Sequence, residues 1–168
     1  MSDLVAILGI ASARIYAAFD SKEALFREAI ALYEANEGSF AARALEEEST
    51  ARQAMERMLR EAAQLYTRSG RPRGCMVVTS AVNCAHGNDA VLEWLAGHRR
   101  ERTAAIVARI KRAAREGELK PETNAEALGD CLAVTLHGLS VQARDGVSRA
   151  RLLALIPSAL RGLEGAAV

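Results

Sequence analysis

The sequence predicts an all-α protein, and three observations carry that expectation. Apolar residues recur every three or four positions along almost the whole chain, the spacing of one helix face. Only Pro72, Pro121 and Pro157 and a few glycines interrupt that pattern. Half of the 168 residues are hydrophobic, yet aromatics make up only 4%, so the apolar mass is mostly Ala and Leu, a composition that favours packed helices. A chain of this length forms one ordinary domain, or one with a small appendage, and is long enough to bury a real core. With 22 Lys+Arg against 21 Asp+Glu, it is neither a histone-like basic protein nor the bearer of a long acidic tail. Any DNA binding must come from a local site.

The elements follow in order. Leu4-Val5-Ala6-Ile7-Leu8 reads as a short helix, closed by Gly9, which takes positive φ without a Cβ clash. Ala11 or Ser12 opens a second short helix of about two turns. Asp20 is the expected N-cap of the next, with Glu23 as the acidic arm of a capping box. From Lys22 one long helical pattern runs through Leu25, Ala29, Leu32 and Tyr33 to Leu45 and ends in Glu46-Glu47-Glu48. A helix from Ala51 to Arg68 places Met55, Met58, Leu59, Ala62 and Tyr66 on one face. It stops at Ser69-Gly70-Arg71-Pro72, where Gly caps and Pro prevents continuation.

Gly74 to Ala85 is rich in Val and Thr, but there is no second strand for it to pair with, so a buried helix is expected. His86-Gly87-Asn88-Asp89 reads as a turn. A long amphipathic helix with Val91, Trp94, Leu95, Ile106 and Ile110 then reaches Glu116 and closes at Gly117. Pro121 to Arg144 forms the next, with Leu128, Leu132, Thr135, Leu136 and Leu139 on one stripe. The last runs from Ser148 to Leu163 and contains Pro157, which should kink it, since the lost hydrogen bond and ring clash cost about 3 kcal/mol.

Cys75, Cys84 and Cys131 are odd in number and show no CxxC or ligand spacing with histidine, so they read as reduced thiols with no metal site. No stretch approaches the roughly 18 apolar residues of a membrane span. Ala11-Ser12-Ala13 after an apolar run has the form of a signal-peptide cleavage site, but Asp3 stands where the basic n-region is needed. The expected location is cytoplasmic.

The informative stretch is Leu4 to Leu25: a helix, a tight turn at Gly9, a second helix, then a capped third. This is helix-turn-helix grammar, in which the second helix lies in the major groove with its first residues at base edges. It resembles the signature of the tetracycline-repressor (TetR) family of bacterial regulators, apolar-x-x-Ala-Gly-Val-Ser, then Tyr-x-x-Phe, then Ser-Lys-Glu-x-Leu. The matching residues are Gly9, Ile10 for Val, Tyr16, Phe19, Ser21, Lys22, Glu23 and Leu25. Leu8 stands where the family usually has Ala, and Ala11 where a capping Ser or Thr is usual, with Ser12 next to it as a substitute hydroxyl. In the family a first helix precedes the position of Met1, so the resemblance implies an N-terminally truncated member. Without that supporting helix, Leu4, Ile7, Leu8, Ile15 and Phe19 should be partly exposed and residues 1 to about 20 frayed or packed against something non-native, because losing a few hundred Å² of burial at about 25 cal/mol per Å² forfeits several kcal/mol.

The resemblance implies a partial helix-turn-helix with its connecting helix over 1–46 and a ligand-binding and dimerisation bundle over 47–168. Ser12, Ala13 and Arg14 would begin the recognition helix, Arg14 being able to reach guanine O6 and N7, while Tyr16 and Lys22 would contact phosphates. The implied partners are double-stranded operator DNA, a small-molecule effector and a second copy of the chain, with no membrane, cofactor or catalytic residue. Pocket candidates are amphipathic or polar residues on apolar faces: Met58, Tyr66, Cys75, Met76, Thr79, Asn83, Trp94, His98, Thr135, His137 and Gln142, with His98 read as surface beside Arg99 and Arg100 and His137 as a satisfied buried or interface histidine. The two strongly apolar helices joined at Asp145-Gly146-Val147 suggest a four-helix dimer interface through Leu132, Leu136, Leu139, Leu152, Leu155, Ile156 and Leu160. Two other readings remain: a dimerisation module that pairs with full-length relatives without binding DNA, and an all-helical enzyme.

Overall fold

The computed structural model describes residues 2–82 and 88–168. Among these the chain is helical, with one isolated antiparallel bridge, Leu119 to Ala167. The helices are α1 (Ser2–Leu8), α2 (Ser12–Phe19), α3 (Lys22–Ala35), α4 (Phe40–Glu47), α5 (Ala51–Tyr66), α6 (Met76–Val82), α7 (Asp89–Arg115), α8 (Ala125–Arg144) and α9 (Arg149–Ala166). They fall into two compact units, the first ending at Asn36 and the second beginning at Glu37.

The long helix expected from Lys22 to Leu45 is broken into α3 and α4. Asn36 ends α3: its N–H reaches Leu32 and Tyr33 carbonyls and its side-chain amide donates to Leu32 O at 2.8 Å. A side chain that bonds the preceding turn competes with helix propagation. A 3-10 turn over Glu37–Ser39 then precedes α4.

In the first unit Gly9 holds φ +66° between α1 and α2. Both short helices are formed, α2 packs on α3, and Ile15 is buried at 2% exposure rather than partly exposed. Leu4 and Phe19 are half-buried, while Ile7 and Leu8 are exposed. The caps also differ from expectation. Ala11 occupies the N-cap of α2 with no side-chain hydrogen bond, so Ser12 does not supply the missing hydroxyl. Asp20 adopts φ +57° to close α2, its N–H bonding Tyr16 O, and Ser21 caps α3 instead by accepting the Ala24 N–H at 3.0 Å.

In the second unit α5 is the central helix, touching α4, α7, α8 and α9. Its inward residues Ala51, Ala54, Met55, Met58, Leu59, Ala62, Ala63 and Tyr66 are all buried. Thr50 caps it by accepting the Gln53 N–H. Arg57 ties the α4–α5 corner together through Glu47, Glu48 and Glu61 at 2.7–2.9 Å. A second tie is deeper. Glu118, after α7, accepts the Ala51 N–H at 2.7 Å and pairs with the buried Arg109, whose guanidinium also donates to Ser49 O at 3.3 Å.

The longest pairing is α7 with α8, and Gly129 permits it: a Cβ there would stand 2.8 Å from Val107 Cα. The segment before α6 docks on α8 through the Cys75 N–H, which donates to the buried Ser140 hydroxyl at 2.7 Å. α9 continues through Pro157, which faces outward, and Leu152, Ile156, Leu160 and Leu163 face in.

Candidate functional site

The sequence places its strongest functional pattern on α1 to α3, and the geometry of that segment suits a nucleic-acid reader. The chain bends by 98° between α1 and α2, within the range of helix-turn-helix corners. The positive φ of Gly9 makes the corner, and Ile15 anchors the inner side of α2. The opposite side is therefore presented outward: Ser12, Ala13 and Arg14 in the first turn are exposed, as are Tyr16, at 46%, and Lys22. Ser21 fixes Lys22 in the first turn of α3. All five candidate contact residues thus share one compact unit.

Charge on this unit is sparse. Through Asn36 the cations are Arg14, Lys22 and Arg27, against Asp3, Asp20, Glu23, Glu28 and Glu34. Arg27 is paired with Glu23 at 2.7 Å. Arg14 and Lys22 form no ion pair with a described residue, which leaves them available to phosphate or base.

The pocket candidates do not converge. Met58 and Tyr66 are filled core positions, and Tyr66 meets Phe40 edge-on with ring centroids 6.0 Å apart. Met76 is half-buried at the start of α6. The Thr79 hydroxyl donates to Cys75 O and that of Thr135 to Cys131 O, each within its own helical turn. Trp94 packs edge-on against His98 at 4.6 Å. Asn83 lies outside the described residues.

The structure opens a cleft of about 650 Å³ between α7 and α8, and one of the pocket candidates, His137, lines it. Arg99, Arg100, Thr103 and His137 line one end, Ala104, Val107 and Ala108 its floor, and Lys111, Glu126 and Asp130 the other end. Lys111 pairs with Glu126 at 2.7 Å. Burial, and then the positive charges of Arg102 and Arg99, push His137 down to about 4, so it is neutral at physiological pH. His137 Nε2 and Arg99 Nη1 are both buried without a hydrogen-bond partner among the described residues. The signal for this cleft was visible on α7 as a polar and small-residue stripe at helical spacing, but it reads equally well as a solvated face. Among the described residues no His, Cys, Asp or Glu group converges as a metal site requires.

Six of the seven expected interface residues, Leu132, Leu136, Leu139, Leu152, Ile156 and Leu160, are only 0–2% exposed in a single chain. They belong to the protomer's own core, where a second copy cannot reach them; Leu155 alone is half-buried. The open face of α8 carries Val134 at 70% exposure, Gly138 and Val141, and that of α9 carries Ala154 and Pro157.

A helix-turn-helix with an outward first turn, followed by an all-helical bundle, defines a DNA-binding transcription regulator. The chain belongs to the tetracycline-repressor family: the family model described as "Tetracyclin repressor-like, C-terminal domain" matches residues 51–154. It is 38% identical to a cysteine mutant of the TetR family transcriptional regulator CifR, solved with 26-bp double-strand operator DNA. The match covers 96% of this chain and 84% of that one with a TM-score of 0.90. A further CifR cysteine mutant with 26-bp operator DNA gives 38% identity, 95% and 83% coverage and a TM-score of 0.89. The HTH-type transcriptional repressor ComR of Escherichia coli K12 is 23% identical over 162 residues, which span 96% of this chain and 77% of ComR.

Proposed function

We propose that the protein is a ligand-responsive cytoplasmic repressor that binds operator DNA as a homodimer. In this reading residues 1–46 form the reading head with its connecting segment, and 47–168 form the regulatory bundle. Ser12, Ala13 and Arg14 approach base edges, with Arg14 donating two hydrogen bonds to a guanine. Tyr16 and Lys22 grip phosphates and set the register. The single observation that carries the reading is the outward first turn of α2, held at a 98° corner with Arg14 free of any described ion pair. Two half-sites require two copies, and the exposed apolar face of α8 around Val134 and Val141, continued by Ala154 and Pro157 of α9, is surface suited to pairing.

Fluorescence anisotropy with the DNA upstream of the gene tests this, using a scrambled duplex as control. The expected result is a sequence-preferring complex of two protomers. Arg14→Ala should cost about 1–3 kcal/mol per half-site and erase the preference. Lys22→Ala should weaken both duplexes alike and lower the salt slope by about one per half-site. Equal affinity of the native chain for both duplexes would defeat the proposal.

A further inference from the structure

We propose that the cationic end of the α7–α8 cleft binds the carboxylate of a small amphipathic acid, held by Arg99 and His137, with the acid's apolar tail along the floor of Ala104, Val107 and Ala108. The effector role of such an acid rests on the ligand-responsive reading above; its binding does not.

Charge is unevenly distributed along this cleft. The Lys111–Glu126 pair at one end and the proximity of Arg99 and Arg102 to His137 at the other show that α7 and α8 run antiparallel. The acidic residues that line the cleft, Glu126 and Asp130, therefore stand toward the Lys111 end: Asp130 lies two turns before His137 on α8, about 10 Å along the axis. At the cationic end Arg100 is already engaged by Glu93 at 2.6 Å, and Arg102 reaches the Cys75 thiol at 3.7 Å. Arg99 and His137 remain, each with a buried nitrogen that no described group satisfies. Buried polar atoms in native proteins are nearly always paired, and the guanidinium nitrogen of Arg99, which can only donate, points to a missing acceptor beside His137.

A carboxylate supplies acceptors only, with room for both donors. Because burial and then the neighbouring arginines keep His137 neutral, it adds one N–H in the tautomer protonated at Nε2, while Arg99 carries the compensating charge. The floor is apolar and lacks side chains larger than valine, and the cleft volume is within the range of small-molecule sites. A neutral isostere of the acid would leave the guanidinium uncompensated, so the site discriminates by charge.

Isothermal titration of the full chain with linear carboxylates from acetate to decanoate, each beside its primary amide, provides the test. The expected result is that binding strengthens with chain length and that each acid exceeds its amide by roughly tenfold or more. Arg99→Gln should remove that preference while the amide binds as before. Ala104→Trp changes an exposed floor residue and should block acids and amides together. Failure of every acid to bind, equal affinity for acids and amides, or an unaffected Arg99→Gln protein would overturn the proposal. So would loss of the dimer in Ala104→Trp without any acid binding, which would assign the cleft to a second copy. Parallel operator titrations separate the two readings: acids that bind as expected but leave operator affinity unchanged support the site and refute the effector role.

Discussion

Deleting the Glu118 carboxylate removes two contacts at once, and the structure sets the size of the loss. One oxygen of Glu118 accepts the first helical N–H of α5 at 2.7 Å, and the other pairs with Arg109, whose side chain is only 2% exposed. In Glu118→Ala the guanidinium stays buried with the Ser49 carbonyl as its remaining acceptor, and α5 loses that contact at its start. Breaking a buried pair by removing one partner costs about 3–5 kcal/mol. Because Glu118 itself is 21% exposed and water can partly replace it, the lower half of that range, about 3–4 kcal/mol, applies. At about 2–4 °C per kcal/mol for a protein of this size, melting should fall by roughly 6–16 °C. Glu118→Gln keeps oxygen and shape but not charge and should lose about 1.5–3 kcal/mol. Arg109→Met removes the buried charge, leaves the Glu118 contact with α5 in place, and should cost least. Urea unfolding followed by far-ultraviolet circular dichroism measures all three. A loss under about 1 kcal/mol in Glu118→Ala, the scale of a surface pair, would refute the reasoning, as would Arg109→Met proving the worst of the three.

Gly129→Ala places a methyl 2.8 Å from the Val107 backbone; overpacking of about 1–3 kcal/mol outweighs the gain of about 1 kcal/mol in helix propensity, and a raised melting temperature would show that the close approach is not required. Val134→Glu alters a residue 70% exposed in the single chain, so sedimentation should report monomers with unchanged protomer stability, whereas Leu136→Ala should lose about 2–5 kcal/mol from the core; a Val134→Glu protein that stays dimeric removes this face from the interface. His137 is held near 4 in the fold against 6.5 in the unfolded chain, so between these values the unfolded state binds the extra proton and stability falls as pH falls. Urea midpoints at pH 7, 6 and 5 should decline for the native chain and decline less for His137→Gln; parallel curves would mean that His137 titrates normally.

Local rules carried most of the fold because local physics decides it. Ser69-Gly70-Arg71-Pro72 had to end a helix, Gly117 had to close one, and the 3.6-residue spacing of Met55, Met58, Leu59, Ala62 and Tyr66 had to face a core. The reading head was equally legible, since a helix-turn-helix is specified within one short segment. The errors arose where two local signals competed. Asp20 and Ser21 are both good caps, and the choice turned on which residue adopts positive φ to leave α2. Asn36-Glu37-Gly38 carried a stop signal, but the apolar period continues across it into Phe40 and Leu45, so pattern alone joined two helices that the backbone separates.

The interface residues expose a deeper limit. A hydrophobic stripe states that a helix face leaves water, not which surface it meets, and α8 has two candidate surfaces. Leu132, Leu136 and Leu139 form its strongest stripe, and the protomer consumes them against its own bundle. What remains for a second copy is weaker in pattern: Val134, Gly138 and Val141, spaced at helical intervals yet interrupted by polar residues. The same ambiguity hid the cleft, because Arg99, Arg100, Thr103 and Lys111 on α7 match a solvated face until His137 and Asp130 of α8 are brought opposite them. Sites assembled by pairing helices distant in sequence depend on relative rotation about each axis, which the Gly129 to Val107 approach sets here and which no single-helix pattern encodes.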